Sequence, residues 1–387
     1  MPRRTPDHRR AGAAVLAAGT ALLLAGCTST AQPPAAQQGG GGPIAVTASD
    51  SACQVSATEA PAGNISFTVK NTGTKVTEFY LYGTGDRIMG EVENIGPGLS
   101  RDLIVEVPDG GSYTTACKPG MVGDGIRAPF TVTGTAQRST DTDAKLAEAT
   151  TGYTRYVTSQ IEALVAKNKE FTAAVKAGNV DQAKALYPVA RTYWERVEPV
   201  AESFGDLDPK MDGREDDERE PGVAFTGYHR LEKDLWVDGL QADSGQIADQ
   251  LDADILDLQN RVKSVQFTPV ELANGAKELL DEVATGKITG EEDRYSHTDL
   301  WDFKANVEGS QASVAALRPV IDEKDPNLGP TLDERFADVE KLLEGYRTPD
   351  GGFVLYTQLT PEDTKKMADS VDALAEPVSQ VAGVVTS

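Results

Sequence analysis

The hydrophobic rhythm of the chain changes near residue 140. Before that point, short apolar runs alternate with polar residues. ISFTVKN (65–71), EFYLYG (78–83), RDLIVEVP (101–108), GSYTTAC (111–117) and PFTVTG (129–134) are rich in β-branched and aromatic residues and predict strands. Turn formers such as Asn71-Thr72-Gly73 and Pro108-Asp109-Gly110-Gly111 separate them. Several short strands at this spacing predict a small β-sandwich over residues 44–134. From residue 141 the period is helical. Leu251, Ile255, Leu258, Val262 and Val265 step by four or three and define one helix face. Thr268-Pro269-Val270-Glu271 combines an N-cap, a first-turn proline and a capping-box glutamate, and Thr360-Pro361-Glu362-Asp363 resembles it. Ala177-Gly178-Asn179 predicts a helix stop and Asn179-Val180-Asp181-Gln182 the next start. Residues 141–387 therefore predict up-and-down helical bundles. Asp-Leu-Trp occurs at 234–236 and again at 299–301, too short a match to establish duplicated halves.

The N-terminus adds a compartment. Basic MPRRTPDHRR precedes apolar AGAAVLAAGTALLLAG, a stretch too short to span a membrane comfortably. It ends in Leu24-Ala25-Gly26-Cys27, similar to a bacterial lipobox. That resemblance implies a signal peptide over 1–26, lipid on Cys27, and an exported chain anchored on the outer face of the cytoplasmic membrane, in a periplasm or at the cell surface. A plain secretory signal is the alternative. Residues 27–43, rich in Gly, Gln and Pro, read as the lipidated Cys and a flexible tether.

The composition suits a soluble folded protein, with 39% hydrophobic and 25% charged residues over 387 positions. The net charge of −23 argues against nucleic acid, which requires a basic face. Cations or a basic partner fit better, although acid excess also serves solubility.

Candidate chemistry falls in two places. Cys53 and Cys117 share the β-region, and two cysteines in an oxidising compartment read either as a disulfide or as metal ligands. Met121 follows Cys117 as in a copper loop, but the region has no histidine, which argues against type 1 copper. Glu78 and Glu106 are candidate partners for the thiolates. In the helical region, His229 and Glu232 lie three apart in GYHRLEKDLW, so one helix face aims both at one point. Glu195 and Glu198 share that spacing in YWERVEPVAESFGD, with Glu202 four residues on. Such pairs are usually solvated helix faces; the aromatic residues Phe225, Tyr228 and Trp236 point to burial here, where a His and a Glu need partners. His297 sits among Glu291, Glu292, Asp293, Asp299 and Asp302, either beside a helix-start cap made by Ser296, Thr298 or Asp299, or in a segment lending a carboxylate to the site.

Taken together, GYHRLEKDLW, YWERVEPVAE, GREDDE and GEEDRYSHTDLWDFKANVEG resemble the imelysin family. NTGTKVTEFYLY, NIGPGLSRDL and YTTACKPG resemble the cupredoxin-like domain that precedes the helices in the iron-uptake lipoproteins of that family. The resemblance covers about residues 44–387. It implies paired helical bundles with a metal site in the cleft between them. Its ligands fall on His229, Glu232, Glu195 and Glu198, with Asp212 and Glu292 added by alignment and Asp216 and Glu291 as rivals. It also implies a second site on Cys53, Glu78 and Cys117.

The implied function is capture of ferrous or ferric iron outside the membrane, with copper or zinc also able to bind, and delivery to a membrane iron permease. An exported haem peroxidase is the other implied partner. Protonation of His229 and the carboxylates near pH 5 is expected to weaken binding. Two rivals remain: a metallopeptidase, although His-Glu-x-x-His is absent and Lys233 stands where a His-x-x-Glu-His motif needs histidine, and a metal-stabilised polysaccharide- or protein-binding module.

Overall fold

The computed structural model describes residues 42–136, 140–215 and 224–387. The signal peptide, Cys27, all of the tether before residue 42 and Asp216 lie outside the described residues.

Among the described residues nine strands build the first part: β1 (Ile44–Ala48), β2 (Cys53–Val55), β3 (Glu59–Pro61), β4 (Gly63–Asn71), β5 (Thr77–Tyr82), β6 (Ile88–Ile95), β7 (Ser100–Val107), β8 (Asp109–Pro119) and β9 (Ile126–Thr135). They form a four-stranded sheet, β2-β1-β4-β7, and a five-stranded sheet, β3-β9-β8-β5-β6. The β1–β4 and β3–β9 pairs are parallel and the others antiparallel. Alternation sends Phe67, Val69, Phe79, Leu81, Val105 and Phe130 into the core between the sheets. The expected strands fall on β4, β5, β7, β8 and β9, with only Gly83 and Pro108 beyond the ends of β5 and β7. Strand β6 carries GDRIMGEVENIG, whose glycines and acids hide it from propensity.

Among the described residues ten helices follow: α1 (Thr140–Lys176), α2 (Val180–Glu195), α3 (Leu207–Met211), α4 (Gly227–Lys233), α5 (Ser244–Arg261), α6 (Pro269–Thr285), α7 (Asp299–Lys324), α8 (Leu328–Glu344), α9 (Pro361–Val378) and α10 (Val381–Thr386). Both expected capping boxes form, at Thr268 with Glu271 and at Thr360 with Asp363. Helix α1 packs on α2 and α5, α6 packs on α7 and α9, and α7 also touches α1 and α2. One continuous core results, with Tyr153, Val157, Ile161, Leu164 and Phe171 on the buried face of α1.

The sandwich rests on the helices through α6. Arg87 donates to Glu271 at 2.9 Å and to the Gln266 carbonyl at 3.1 Å, and Asn274 donates to the Ile104 carbonyl at 2.8 Å. Every residue of β5 is buried, because the face opposite the sandwich core, Glu78, Tyr80 and Tyr82, is covered as well. Among the described residues no helix is long and apolar enough to cross a membrane.

Candidate metal centre

The centre gathers side chains from α2, the residue after α3, α4, the segment 287–298 and α7. Helix α4 begins at Gly227, whose φ is +78° and whose missing Cβ would lie 2.1 Å from the Met211 carbonyl oxygen. Only glycine permits that contact. It sets the end of α3 against the start of α4 and brings Asp212 to His229.

His229 is 1% exposed. Its Nδ1 lies 3.1 Å from Glu232 Oε2 and 3.3 Å from the Tyr187 hydroxyl. Its Nε2 lies 3.4 Å from Asp212 Oδ1 and 3.7 Å from Glu292 Oε1, and has no hydrogen-bond partner. Two triplets offer ligand atoms all within 4.8 Å of one another: Asp212, His229, Glu292 and His229, Glu232, Asp293. The ring is thus a hinge between two acidic groups. Glu232 is held by backbone donors, Tyr295 N at 2.9 Å and Ser296 N at 2.7 Å, and Trp194 Nε1 holds Asp212 Oδ2 at 2.9 Å.

Internal cations partly neutralise this acid. Arg191, fully buried, reaches Glu292 and Asp302 at 3.1 Å each and Asp293 at 3.5 Å, and also pairs with Asp212 and Glu195. Lys287 donates to Glu195 at 3.2 Å and Glu198 at 2.6 Å, and Asn306 donates to Glu195 Oε2 at 2.9 Å. Burial and Arg191 both disfavour a charged His229. The surrounding carboxylates of Glu232, Glu292 and Asp212 outweigh them and lift the imidazole to about 10. Burial also opposes ionisation of Glu292, but Lys287, His229 and Arg214 hold it well below the usual carboxylate range. Glu198 goes the other way, pushed well up by burial and by Glu195. Burial, then repulsion from Glu232, raises Asp293 to about 6. A buried imidazole with an orphaned ring nitrogen, ringed by ionised carboxylates, suits a cation of intermediate hardness such as iron or zinc.

Of the expected site residues, His229, Glu232, Asp212 and Glu292 come together. Glu291 is exposed and lies 3.7 Å from Arg214, outside both triplets. Glu195 and Glu198 stand one layer away, bridged by Lys287. They are not a pair on one helix face: α2 ends at Glu195, and Pro199 opens a 3₁₀ stretch, Glu198–Phe204. The same break turns Glu202 into a different cavity. His297 adopts φ +59° and its ring joins neither triplet. Thr298 occupies the N-cap of α7 without a side-chain cap, because its hydroxyl donates to Asp293.

The second expected site does not assemble. Cys53 and Cys117 are joined as a disulfide that staples β2 of one sheet to β8 of the other. A disulfide offers no thiolate to a metal. Glu78 precedes core-facing Phe79, so strand alternation puts it on the opposite sheet face, where Tyr80 donates to it at 3.0 Å. Glu106 likewise alternates with core-facing Val105 and Val107.

Sequence reasoning did not single out Arg191, Lys287 or Asn306 as parts of the site. Arg191 sits four residues before Glu195, the spacing of an ordinary helix-surface ion pair. Asp293 and Asp302 were visible only as members of an acidic stretch.

Residues 149–381 match the Imelysin (peptidase M75) family, and residues 15–132 match the cupredoxin-like domain family. The chain is 40% identical over 347 residues to the iron uptake system component EfeO of Escherichia coli O157:H7, covering 88% of this chain and 91% of that protein. The EfeO proteins of Escherichia coli K12 and Shigella flexneri match with the same identity and coverage. Reduced auracyanin from Roseiflexus castenholzii aligns with 24% of this chain and 96% of its own, at 21% identity and a TM-score of 0.20. The chain belongs to the imelysin family, with a cupredoxin-like domain ahead of its helices.

Proposed function

We propose that this protein is the extracytoplasmic iron-binding component of an iron uptake system, which captures iron at His229, Glu232, Asp212 and Glu292 and delivers it to a membrane permease. The observation that carries this reading is the unpartnered Nε2 of buried His229, set between Asp212 and Glu292. Burying an imidazole nitrogen without a hydrogen bond is costly, and a cation held between those two carboxylates would satisfy it once the ring proton has left. Glu195, Glu198 and Asp293 would adjust around the ion. The similarity to EfeO supports iron as the cargo. A lipid on Cys27 and a tether would hold the carrier near its permease and raise its effective concentration. An exported haem peroxidase that changes the iron oxidation state fits the same system, as does weaker loading with copper or zinc.

A peptidase reading is less favoured. One imidazole serves this centre, whereas a catalytic zinc generally takes three protein ligands, an open position and a base. Lys233 turns outward to Glu215 at 2.5 Å. The test is titration of the purified protein with ferrous iron under anaerobic conditions and with chelated ferric iron, in parallel with His229→Ala/Glu232→Ala. Loss of tight binding in the variant is expected. Unchanged binding in the variant, or no tight binding in the parent, would remove iron from this cleft.

A further inference from the structure

A second acidic chamber lies between the two domains. It has a volume of about 430 Å³ and is walled on one side by β6 and on the other by α6 and the stretch Glu198–Phe204. Eight acidic side chains line it, against one guanidinium, Arg214, among the described residues. The sandwich contributes Glu91 and Glu93; the helices contribute Glu202, Glu278 and Glu282. The close wall is enforced at Gly275, where a Cβ would meet the Pro199 carbonyl oxygen at 1.7 Å.

Acid alone does not make a site. The second observation is Glu91, which is 7% exposed and whose Oε2 has no hydrogen-bond partner. Its strongest electrostatic neighbours are all carboxylates, beginning with Glu202 across the interface. Glu202 is water-exposed because it reaches into the chamber, yet it lies deep between the domains, and burial with nearby Glu78 keeps it up to about 7 despite Lys118. Burial and these carboxylate neighbours hold the Glu91 carboxyl well above the usual carboxylate range, so it favours its protonated form, and a cation entering between the two domains takes the place of that proton. The anionic donors here are carboxylate oxygens, with the Met121 thioether also on the wall, and a carboxylate-dominated set favours a hard ion, unlike the imidazole centre. The chamber also reaches Glu198, which shares Lys287 with Glu195.

We propose that this inter-domain chamber is a second cation site, in which Glu91, Glu202 and Glu278, with Glu93 and Glu282 beside them, bind a hard di- or trivalent ion next to the His229 centre. The site needs both domains, which gives the sandwich a role in ion handling without cysteine ligands. It stands independently of whether His229 binds iron.

The test uses terbium(III), a hard trivalent probe, titrated by luminescence into the parent protein, Glu91→Gln/Glu202→Gln/Glu278→Gln, His229→Ala/Glu232→Ala and a surface control, Glu334→Gln/Glu362→Gln/Glu376→Gln. The chamber variant should lose one class of sites or bind there about 10- to 100-fold more weakly. The His229 variant and the surface control should both keep that class. Equal terbium binding by parent and chamber variant overturns the proposal, as does an equal loss in the surface control. Glu91→Gln alone guards against misfolding: it keeps the side-chain shape, so it should melt no lower than the parent without metal and lose the terbium-induced rise in Tm. A rise equal to the parent's would also overturn the proposal.

Discussion

Metal entry at His229 should be paid for with a proton. The folded protein holds this imidazole at about 10, against an ordinary value of 6.5, so at pH 7 both ring nitrogens carry hydrogen. A cation can reach Nε2 only after that proton leaves. Displacing it at pH 7 costs about 4 kcal/mol, from three pH units at about 1.4 kcal/mol each. Affinity should therefore rise about ten-fold per pH unit, or about 100-fold between pH 6 and 8. The sequence-based window near pH 5 moves upward, because the surrounding carboxylates stabilise the imidazolium. Asp293, held near 6, adds a second displaced proton only below that pH. The assay is calorimetric titration with zinc, and anaerobically with ferrous iron, in two buffers of different ionisation heat. About one proton should be released per ion at pH 7, and His229→Gln should flatten the slope. The same shift acts on metal-free stability. The folded state binds the proton more tightly than the unfolded chain, so this contribution is fully present below pH 6.5 and is lost as pH rises through about 10. An affinity that changes less than about two-fold from pH 6 to 8, with no proton released, would refute this reasoning.

Arg191→Leu removes the counter-charge of five buried carboxylates and should cost about 3–5 kcal/mol in metal-free urea unfolding; a loss below about 1 kcal/mol would contradict the role given to Arg191. Gly227→Ala should destabilise by about 1–3 kcal/mol or more and weaken iron binding about 10-fold, because α4 must retreat from the Met211 carbonyl. Parent-like affinity and thermal stability would show that α4 is not positioned by this contact. Cys53→Ser/Cys117→Ser opens a link spanning 64 residues and should lower sandwich stability by about 4 kcal/mol. Stoichiometry and affinity at the His229 centre should stay unchanged; a drop would mean that the sulfurs support iron binding.

The parts of this protein legible in its sequence are those written locally. Capping boxes at Thr268 and Thr360, the stop at Gly178 and the i,i+3 pairing of His229 with Glu232 each depend on a few adjacent residues, and each forms in the structure. Asp212 entered only through family resemblance; Glu292 was one of five acids around His297, and only the resemblance singled it out from them. Arg191 and Lys287 are long-range partners: Arg191 meets Glu292 across 101 positions, and Lys287 meets Glu195 across 92. No periodicity encodes such a meeting. The spacing of Glu195, Glu198 and Glu202 misled because Pro199 ends the α-helical register between the first and last of them. Glu78 misled for a similar reason. Its neighbours in sequence are core-facing, but the two-residue strand period turns it to the interface with the helices.

The most direct test of the central claim is anomalous diffraction at the iron edge from crystals of iron-loaded protein. The account predicts a peak beside His229 Nε2, bounded by Asp212 and Glu292, and its absence in crystals of His229→Ala/Glu232→Ala loaded in the same way. Iron found elsewhere while the parent's His229 keeps its contacts with Glu232 and Tyr187 and its Nε2 stays without an ion would contradict it.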